Sequence, residues 1–386
     1  MFRSMSAAST HPIFGHHSAR EALSRAWAAG RLPQVLLVTG EPGVGKQRLG
    51  LWLAQLALCT SRANRDTGGL TPAPTGFDGP CGACRACRLV LNLTHPDFHW
   101  FTPLPRPKSS DPDKQIEDFR EALAGAMAER RERPIYGRPD GMSIHGVASA
   151  RLLLRIAALT TVEGGPRIIL IGDADRLVPQ ESSPEAANSL LKFLEEPPAT
   201  TIVILTTTDP TRVLPTIRSR AVPLRLGRLS EAELDAALSQ LAPELSESER
   251  RSRIARAQGS IGRALDGARA EGGAGLDQVE QLLAAAHEGG VARFERVLRQ
   301  GAWSARGDFT TLLDRLAEAL GGAARASAGD RPDAELPRSL REVRDPARLV
   351  RAMAHVDAAR ESAQGNVNPQ LLLATLTADL AEALWH

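Results

Sequence analysis

The sequence predicts an α/β protein in which a nucleotide-binding-type core with a parallel sheet is followed by helices alone. Three observations carry that expectation. A phosphate-binding loop stands between an apolar run and an amphipathic stretch, further short apolar runs are bounded by turn residues, and beyond Arg228 the periodicity turns purely helical. Strands that alternate with helices imply a doubly wound sheet, because parallel neighbours need a crossover long enough to hold a helix.

The loop is Gly40-Glu41-Pro42-Gly43-Val44-Gly45-Lys46-Gln47, preceded by Val35-Leu36-Leu37-Val38-Thr39 and followed by an amphipathic stretch through Leu58. In G-x-x-x-x-G-K-[ST], backbone N–H groups and the positive end of the following helix wrap the phosphates. The lysine reaches the outer phosphates, and the final hydroxyl holds Mg²⁺. Every required position is present except that last one, where Gln47 has no hydroxyl. The motif therefore predicts a fold built for a nucleoside triphosphate in a copy that has lost part of its chemistry. The chain has four lysines, Lys46, Lys108, Lys114 and Lys192, against 43 arginines. A lysine that survives such replacement marks a position needing a compact ammonium rather than a planar fork.

All four cysteines lie in one region: Cys59, then Cys81, Cys84 and Cys87 in two consecutive C-x-x-C turns. Three thiolates turned inward within one knuckle, with a fourth from the end of the preceding helix, predict a structural tetrahedral zinc site with no open coordination position. Cysteines this close pair poorly as disulfides. The alternative is a set of free or redox thiols.

Past the knuckle, Asp97 to Phe101 reads as a short strand. A polar, proline-dotted region from about Pro103 to Gly146 contains one charged helix near Asp113 to Arg133. Two readings apply to it, a solvated surface insertion, which its composition favours, and a nucleic-acid or partner contact. Ala148 to Thr160 is a helix carrying Arg151 and Arg155. Arg167-Ile168-Ile169-Leu170-Ile171-Gly172 and Thr201-Ile202-Val203-Ile204-Leu205-Thr206 read as buried parallel strands. Ser230 to Ala242 opens with Ser-Glu-Ala-Glu, a capping box, and a small helical unit runs to about Ala270. From Gly275 the pattern is helical to the C-terminus, with breaks near Gly301 to Gly307, Ser327 to Pro337 and Gly365 to Pro369. The expected domains are a core over 1–227, with a zinc module at 59–87 and an insertion at 102–143, a helical lid over 228–272, and an all-α domain over 273–386.

Composition limits the function classes. At 386 residues, 42% hydrophobic and 24% charged, two or three soluble domains are expected. Residues 1–227 hold 27 basic and 21 acidic groups and residues 228–386 hold 20 and 24, too mild a bias to mark a nucleic-acid-binding surface. Nine Phe, five Trp and one Tyr make a base-stacking platform poorly supported. No apolar run approaches the roughly 20 residues of a spanning helix, and Met1 to Phe14 lacks the apolar core of a signal peptide, so a cytoplasmic protein is expected.

A further series of motifs carries a resemblance. Asp173-Ala174-Asp175-Arg176-Leu177 ends a strand where P-loop ATPases keep a metal-binding Asp followed by a catalytic Glu. After it come Asn188-Ser189-Leu190-Leu191-Lys192-Phe193-Leu194-Glu195-Glu196-Pro197-Pro198, then Thr206-Thr207-Thr208-Asp209-Pro210, then Leu214-Pro215-Thr216-Ile217-Arg218-Ser219-Arg220. With the knuckle after the loop helix, this series resembles the bacterial clamp-loader subunits of the AAA+ class, and within them the delta-prime branch of DNA polymerase III. The likeness is specific over about 10–60, 81–101 and 144–227 and thins beyond, where residues Gly365-Asn366-Val367-Asn368-Pro369 precede a last helix. Segments 61–80 and 102–143 look inserted.

The resemblance implies that Gly40, Gly43, Gly45 and Lys46 meet phosphates, that Asp173 is the metal-side acid, that Thr208 senses the γ-phosphate, and that Arg220 is a finger presented to a neighbouring subunit. Ala221 replaces the family's usual cysteine without evident chemical loss. Three departures matter more. Gln47 lacks the Mg²⁺ hydroxyl, Ala174 stands where a water-activating glutamate is expected, and in Gly259-Ser260-Ile261-Gly262-Arg263 the working loaders' arginine would fall on Gly262. A chain that keeps its outward arginine without its inward machinery reads as a stator, with weak or absent ATP binding and no turnover of its own. The implied partners are other clamp-loader subunits, a sliding clamp and, through the complex, primed DNA. The implied enzyme is then the DNA polymerase holoenzyme to which such a subunit belongs. Two alternatives stand beside this reading. One is an active gamma/tau-like ATPase, which Gln47, Ala174, Gly262 and the lack of a long C-terminal extension disfavour. The other is a zinc-containing DNA-binding regulator with a retired loop, which the near-neutral charge disfavours.

Overall fold

The computed structural model describes residues 12–63, 79–132, 143–177, 184–270, 274–299, 306–329, 336–364 and 367–386. The described residues form two compact units, the first ending at Leu265 and the second running from Asp266 to His386.

The first unit is built on a five-stranded sheet of β1 (Val35–Thr39), β2 (Phe98–Phe101), β3 (Arg167–Ile171), β4 (Thr201–Thr207) and β5 (Val222–Arg225). The strand order is β2-β3-β4-β1-β5 and every pairing is parallel. Val203 of β4 lies opposite both Val35 of β1 and Ile169 of β3, which fixes the centre of the sheet. β3 and β4 are buried along their whole length, so their centres, Ile168 to Ile171 and Ile202 to Leu205, are unbroken apolar runs rather than alternating ones. Successive side chains nevertheless go to opposite faces. Leu37, Ile169, Ile171, Val203 and Leu205 enter one core, and Leu36, Val38, Ile168, Leu170, Ile202 and Ile204 enter the other. This is the parallel-sheet core that the sequence predicted.

Seven helices and a short turn of helix accompany the sheet: α1 (His17–Ala28), α2 (Lys46–Leu58), α3 (Thr60–Ala63), α4 (Arg85–Leu91), α5 (Pro112–Glu132), α6 (Val147–Ala158), α7 (Pro184–Glu195) and α8 (Pro215–Arg218). Helix α2 approaches β3 closely, since a Cβ on Gly50 would fall 2.7 Å from Leu170 Cδ1. The charged helix expected near 113–133 is α5. Although its composition reads as a solvated insertion, it buries Ile116 and Phe119 in the core beside α6 and also buries Arg130. The remainder of that insertion, 133–142, and most of the 61–80 segment lie outside the described residues.

Strand β5 was not legible in the sequence. Its side chains are largely exposed and it contains Pro223, which an edge position tolerates because the missing N–H faces away from the sheet. The lid helices α9 (Glu231–Leu241), α10 (Glu247–Ala257) and α11 (Ile261–Ala270) follow. The expected capping box is present, with Ser230 and Glu233 capping each other, and Ser246 with Glu249 repeats it at α10. The lid has a small core of its own, including Leu229, Leu234, Leu238, Ile254 and Ala257. Its first two helices belong to the same compact unit as the sheet.

The second unit contains α12 (Ala274–Glu288), α13 (Gly290–Leu298), α14 (Arg306–Ser327), α15 (Arg338–Arg341), α16 (Pro346–Gln364) and α17 (Pro369–Trp385). They enclose a leucine-rich core that includes Leu283, Leu316, Leu320, Leu349, Leu373 and Leu380. Asn368 accepts a hydrogen bond from the Gln370 N–H at the start of α17, with Pro369 in the first turn, where its missing N–H costs nothing. Among the described residues no helix is long and apolar enough to cross a membrane.

Leu170 is fully buried between β3 and α2. Leu170→Ala should destabilise the core by about 2–5 kcal/mol, read as an earlier urea transition. Leu371→Ala, on an exposed face of α17, should change stability by no more than about 0.5 kcal/mol. Equal effects would contradict the packing described.

Candidate functional site

The phosphate-binding loop leaves β1 at Thr39 and enters α2 at Lys46. Gly40, Gly43 and Gly45 all have positive φ, at 156°, 74° and 102°, conformations that side chains with a Cβ rarely adopt. Lys46 is buried, and its Nζ donates to the Gly40 and Glu41 carbonyls at 2.8 Å each. The ammonium is thus turned onto the loop's own oxygens.

The lid packs directly on the loop. Gly262 N–H donates to the Gly43 carbonyl at 3.0 Å, and Ser260 Oγ donates to the Pro42 carbonyl at 2.9 Å. A Cβ on Gly262 would lie 2.8 Å from Gly43 Cα, and one on Gly43 would lie 2.3 Å from Ser260 Oγ. The position where an arginine was expected is therefore a backbone-on-backbone contact with no room for a side chain in this arrangement.

On the acid side, Asp173 follows β3 with φ 50° and its N–H meets Thr206 Oγ1 at 3.4 Å. Ala174 is buried in the core, so a glutamate there would bring a carboxylate into apolar surroundings. Thr207 Oγ1 donates to Asp175 Oδ1 at 2.6 Å and receives the Asp209 N–H at 3.0 Å. The hydroxyl tied to the acidic turn thus belongs to the last residue of β4, and Thr208 lies one place beyond, half-buried. His145 binds the Gly172 carbonyl through Nε2 at 2.7 Å, and its burial pushes the imidazole pKa down, keeping it neutral.

Gln47 is half-buried, and its side chain meets protein groups. Its Oε1 accepts from Arg130 Nη1 at 3.4 Å, and its Nε2 would be 2.8 Å from a Cβ on Gly172, the residue before Asp173. Arg130 also donates through Nη2 to Thr102 Oγ1 at 2.7 Å and lies over the Trp100 ring at 4.4 Å. Sequence reading did not find Arg130, because 83 residues separate it from its partner. The donor set that a loop-bound Mg²⁺ needs is not met here, since an amide and a guanidinium stand where the hydroxyl would be.

Arg220 lies just past α8. Its Nη1 donates to the Thr216 carbonyl at 2.8 Å, and its Nη2 pairs with Glu195 Oε1 at 2.7 Å, on a side chain 37% exposed. Glu195 is the last residue of α7.

The four cysteines converge at the end of α2 and the start of α4. Their sulfurs lie within 4.8 Å of one another, with Cys81–Cys87 and Cys84–Cys59 at 3.9 Å. A tetrahedral Zn–S₄ site with bonds of about 2.3 Å has sulfur–sulfur edges of about 3.8 Å, so the cluster fits zinc. The Cys84 and Cys87 N–H groups point at Cys81 and Cys84 sulfurs, at 3.3 and 3.4 Å. Hydrogen bonding from Cys87 pulls the Cys59 thiol down to about 4, and the same interaction pushes Cys87 up. For Cys84 burial acts upward but is outweighed by the Cys87 N–H and neighbouring donors, giving about 7. Cys59 and Cys84 are thus shifted toward the thiolate and Cys87 away from it, and a cation bound by all four would have to displace the remaining protons.

A family model described as DNA polymerase III, delta subunit, matches residues 15–230. A DNA polymerase III subunit delta' from Pseudomonas aeruginosa is 32% identical over 187 residues, 48% of this chain and 40% of that protein. The Escherichia coli protein of the same name is 28% identical over 229 residues, 59% of this chain and 52% of its own. A DNA polymerase III subunit gamma/tau from Mycobacterium tuberculosis is also 28% identical over 229 residues, covering 58% of this chain and 30% of that one. The chain spans about half or less of the length of the relatives it matches.

Metal analysis of freshly purified, reduced protein should find one zinc per chain. Cys84→Ala should weaken its retention and loosen the α2–α4 junction while leaving the distant lid contact at Gly43 intact. Protein without zinc under these conditions would contradict the fit.

Proposed function

The chain belongs to the DNA polymerase III delta-subunit family, with delta-prime-like relatives, and on that premise we propose that it is a clamp-loader stator that completes a neighbour's ATPase site. The single observation that carries this reading is an asymmetry. Arg220 is kept on an accessible turn, while the groups that hydrolysis at the chain's own site would need are replaced by Gln47, Ala174 and Gly262.

An arginine finger places its charge against the transferring phosphoryl group of an adjacent subunit and is worth roughly 10³–10⁵ in rate. For Arg220 to act in this way it must leave Glu195. An exposed ion pair of this kind contributes only about 0–1 kcal/mol, which contact with a phosphate readily offsets. Asp173, Thr208, Lys46 and the loop glycines would then be remnants of an ATP site whose binding is weak or absent. Zinc at Cys59, Cys81, Cys84 and Cys87 would be structural, bracing the end of α2.

In this reading residues 1–227 are the nucleotide-binding-type core, 228–272 the lid and 273–386 a collar that joins the other subunits. The assembly would act in the cytoplasm, opening a sliding clamp and placing it on primed DNA. A second reading, an active gamma/tau-like subunit, draws on the gamma/tau relative. The buried Ala174 and the Gly262–Gly43 contact speak against it. The near-neutral charge disfavours the regulator alternative.

The isolated chain should show no steady-state ATP hydrolysis, and robust turnover lost on Lys46→Ala would favour the second reading. In a reconstituted complex, Arg220→Ala should leave assembly intact and lower clamp- and DNA-stimulated hydrolysis at least tenfold, because the lost charge acts mainly in the transition state. Lys46→Ala in this chain should do far less. An unchanged rate for Arg220→Ala, or a larger loss from Lys46→Ala, would overturn the assignment.

A further inference from the structure

We propose that the Arg130 guanidinium takes the place of the divalent cation beside the phosphate-binding loop, so that this pocket does not accept a nucleotide together with Mg²⁺. The inference rests on reading the loop as a former nucleotide site and extends it to the inserted segment.

Mg²⁺ beside such a loop bridges the eighth loop position and the acid that follows the neighbouring strand. Here that junction is spanned by protein. Gln47 lies between α2 and the turn at Gly172, close enough that a Cβ on Gly172 would meet its Nε2 at 2.8 Å. Its Oε1 faces Arg130 Nη1 at 3.4 Å. The guanidinium is held in place, with Thr102 Oγ1 at 2.7 Å, the Trp100 ring at 4.4 Å, and only 7% of the residue exposed.

Arginine keeps its charge at any pH the protein meets, so this is a permanent cation in a poorly solvated position. A second, divalent cation would have to sit beside this guanidinium and without a hydroxyl ligand. Arginine also matches phosphate oxygens by geometry, whereas Mg²⁺ demands near-octahedral oxygen ligands. The substitution of Gln47 and the arrival of Arg130 therefore form one change. The amide supplies an acceptor for the guanidinium where a hydroxyl would have served the metal. The insertion carrying α5 acquires a role, which is to deliver this cation.

The test uses the full chain and ATP, titrated by calorimetry in excess Mg²⁺ and again in EDTA. Wild-type protein should bind equally in both, within about twofold, or in neither. Gln47→Thr/Arg130→Met, which restores a hydroxyl and removes the charge while keeping the aliphatic bulk over Trp100, should gain at least about tenfold in affinity from Mg²⁺. Gln47→Thr alone and Gln47→Thr/Arg130→Lys should not.

Wild-type binding that tightens tenfold with Mg²⁺, a full gain from Gln47→Thr alone, or a folded double variant still indifferent to Mg²⁺ would each overturn the proposal. Should the double variant fail to fold, the wild-type comparison and Gln47→Thr alone still decide it. The stator reading is measured separately, in a neighbour's hydrolysis through Arg220, so either conclusion can fail without the other.

Discussion

The approach of Gly262 to Gly43 is the contact on which the rest of the site depends. Two residues without side chains let the lid backbone donate to the loop carbonyl at 3.0 Å and let Ser260 reach Pro42. With the lid seated there, the loop is satisfied by groups of its own chain. Lys46 caps two loop carbonyls, His16 Nε2 lies 2.7 Å from the Val44 carbonyl, and Arg228 pairs with Glu41 at 2.6 Å. A loop of phosphate-binding sequence is held in shape by internal hydrogen bonds, each worth on the order of 1 kcal/mol net. An arginine at Gly262 would lift the lid away and undo several of them together.

The same packing separates two chemistries that a working ATPase subunit combines. Inward, the acid turn is closed by Thr207 on Asp175 and by buried Ala174. Outward, Arg220 is tied by an accessible pair with Glu195, by the Thr216 carbonyl and by the Ser219 hydroxyl. The inward contacts are buried and mutually supporting, so they are costly to break. The outward pair is screened by solvent and readily exchanged for a stronger anion. This difference in cost is what makes a stator of the proposed kind physically reasonable.

Much of this was legible in the sequence, for identifiable reasons. The buried strands β1, β3 and β4 announced themselves as apolar runs because both faces of a parallel sheet are covered. The cysteine spacing foretold the cysteine cluster because two C-x-x-C turns leave the thiols few other geometries. The exchange of Ser or Thr for Gln47 was visible, but its partner was not. The Arg130–Gln47 contact joins residues 83 apart through an insertion whose polar composition reads as solvated surface. Strand β5 escaped because its exposed pattern and Pro223 suit an edge, where sequence signals are weakest. The contact of Thr207 with Asp175 was not legible because a run of three threonines does not reveal which hydroxyl meets the acidic turn 32 residues away.

The central claim is that Arg220 serves a site other than its own chain's. The most direct measurement is a structure of the reconstituted complex trapped with ADP and aluminium fluoride, which mimics the transferring phosphoryl group. The account predicts Arg220 released from Glu195, with its guanidinium about 3 Å from the fluoride in a neighbouring subunit, and Gly262 still seated on Gly43. Finding the analogue in this chain's own loop, with Arg220 still paired to Glu195, would contradict it.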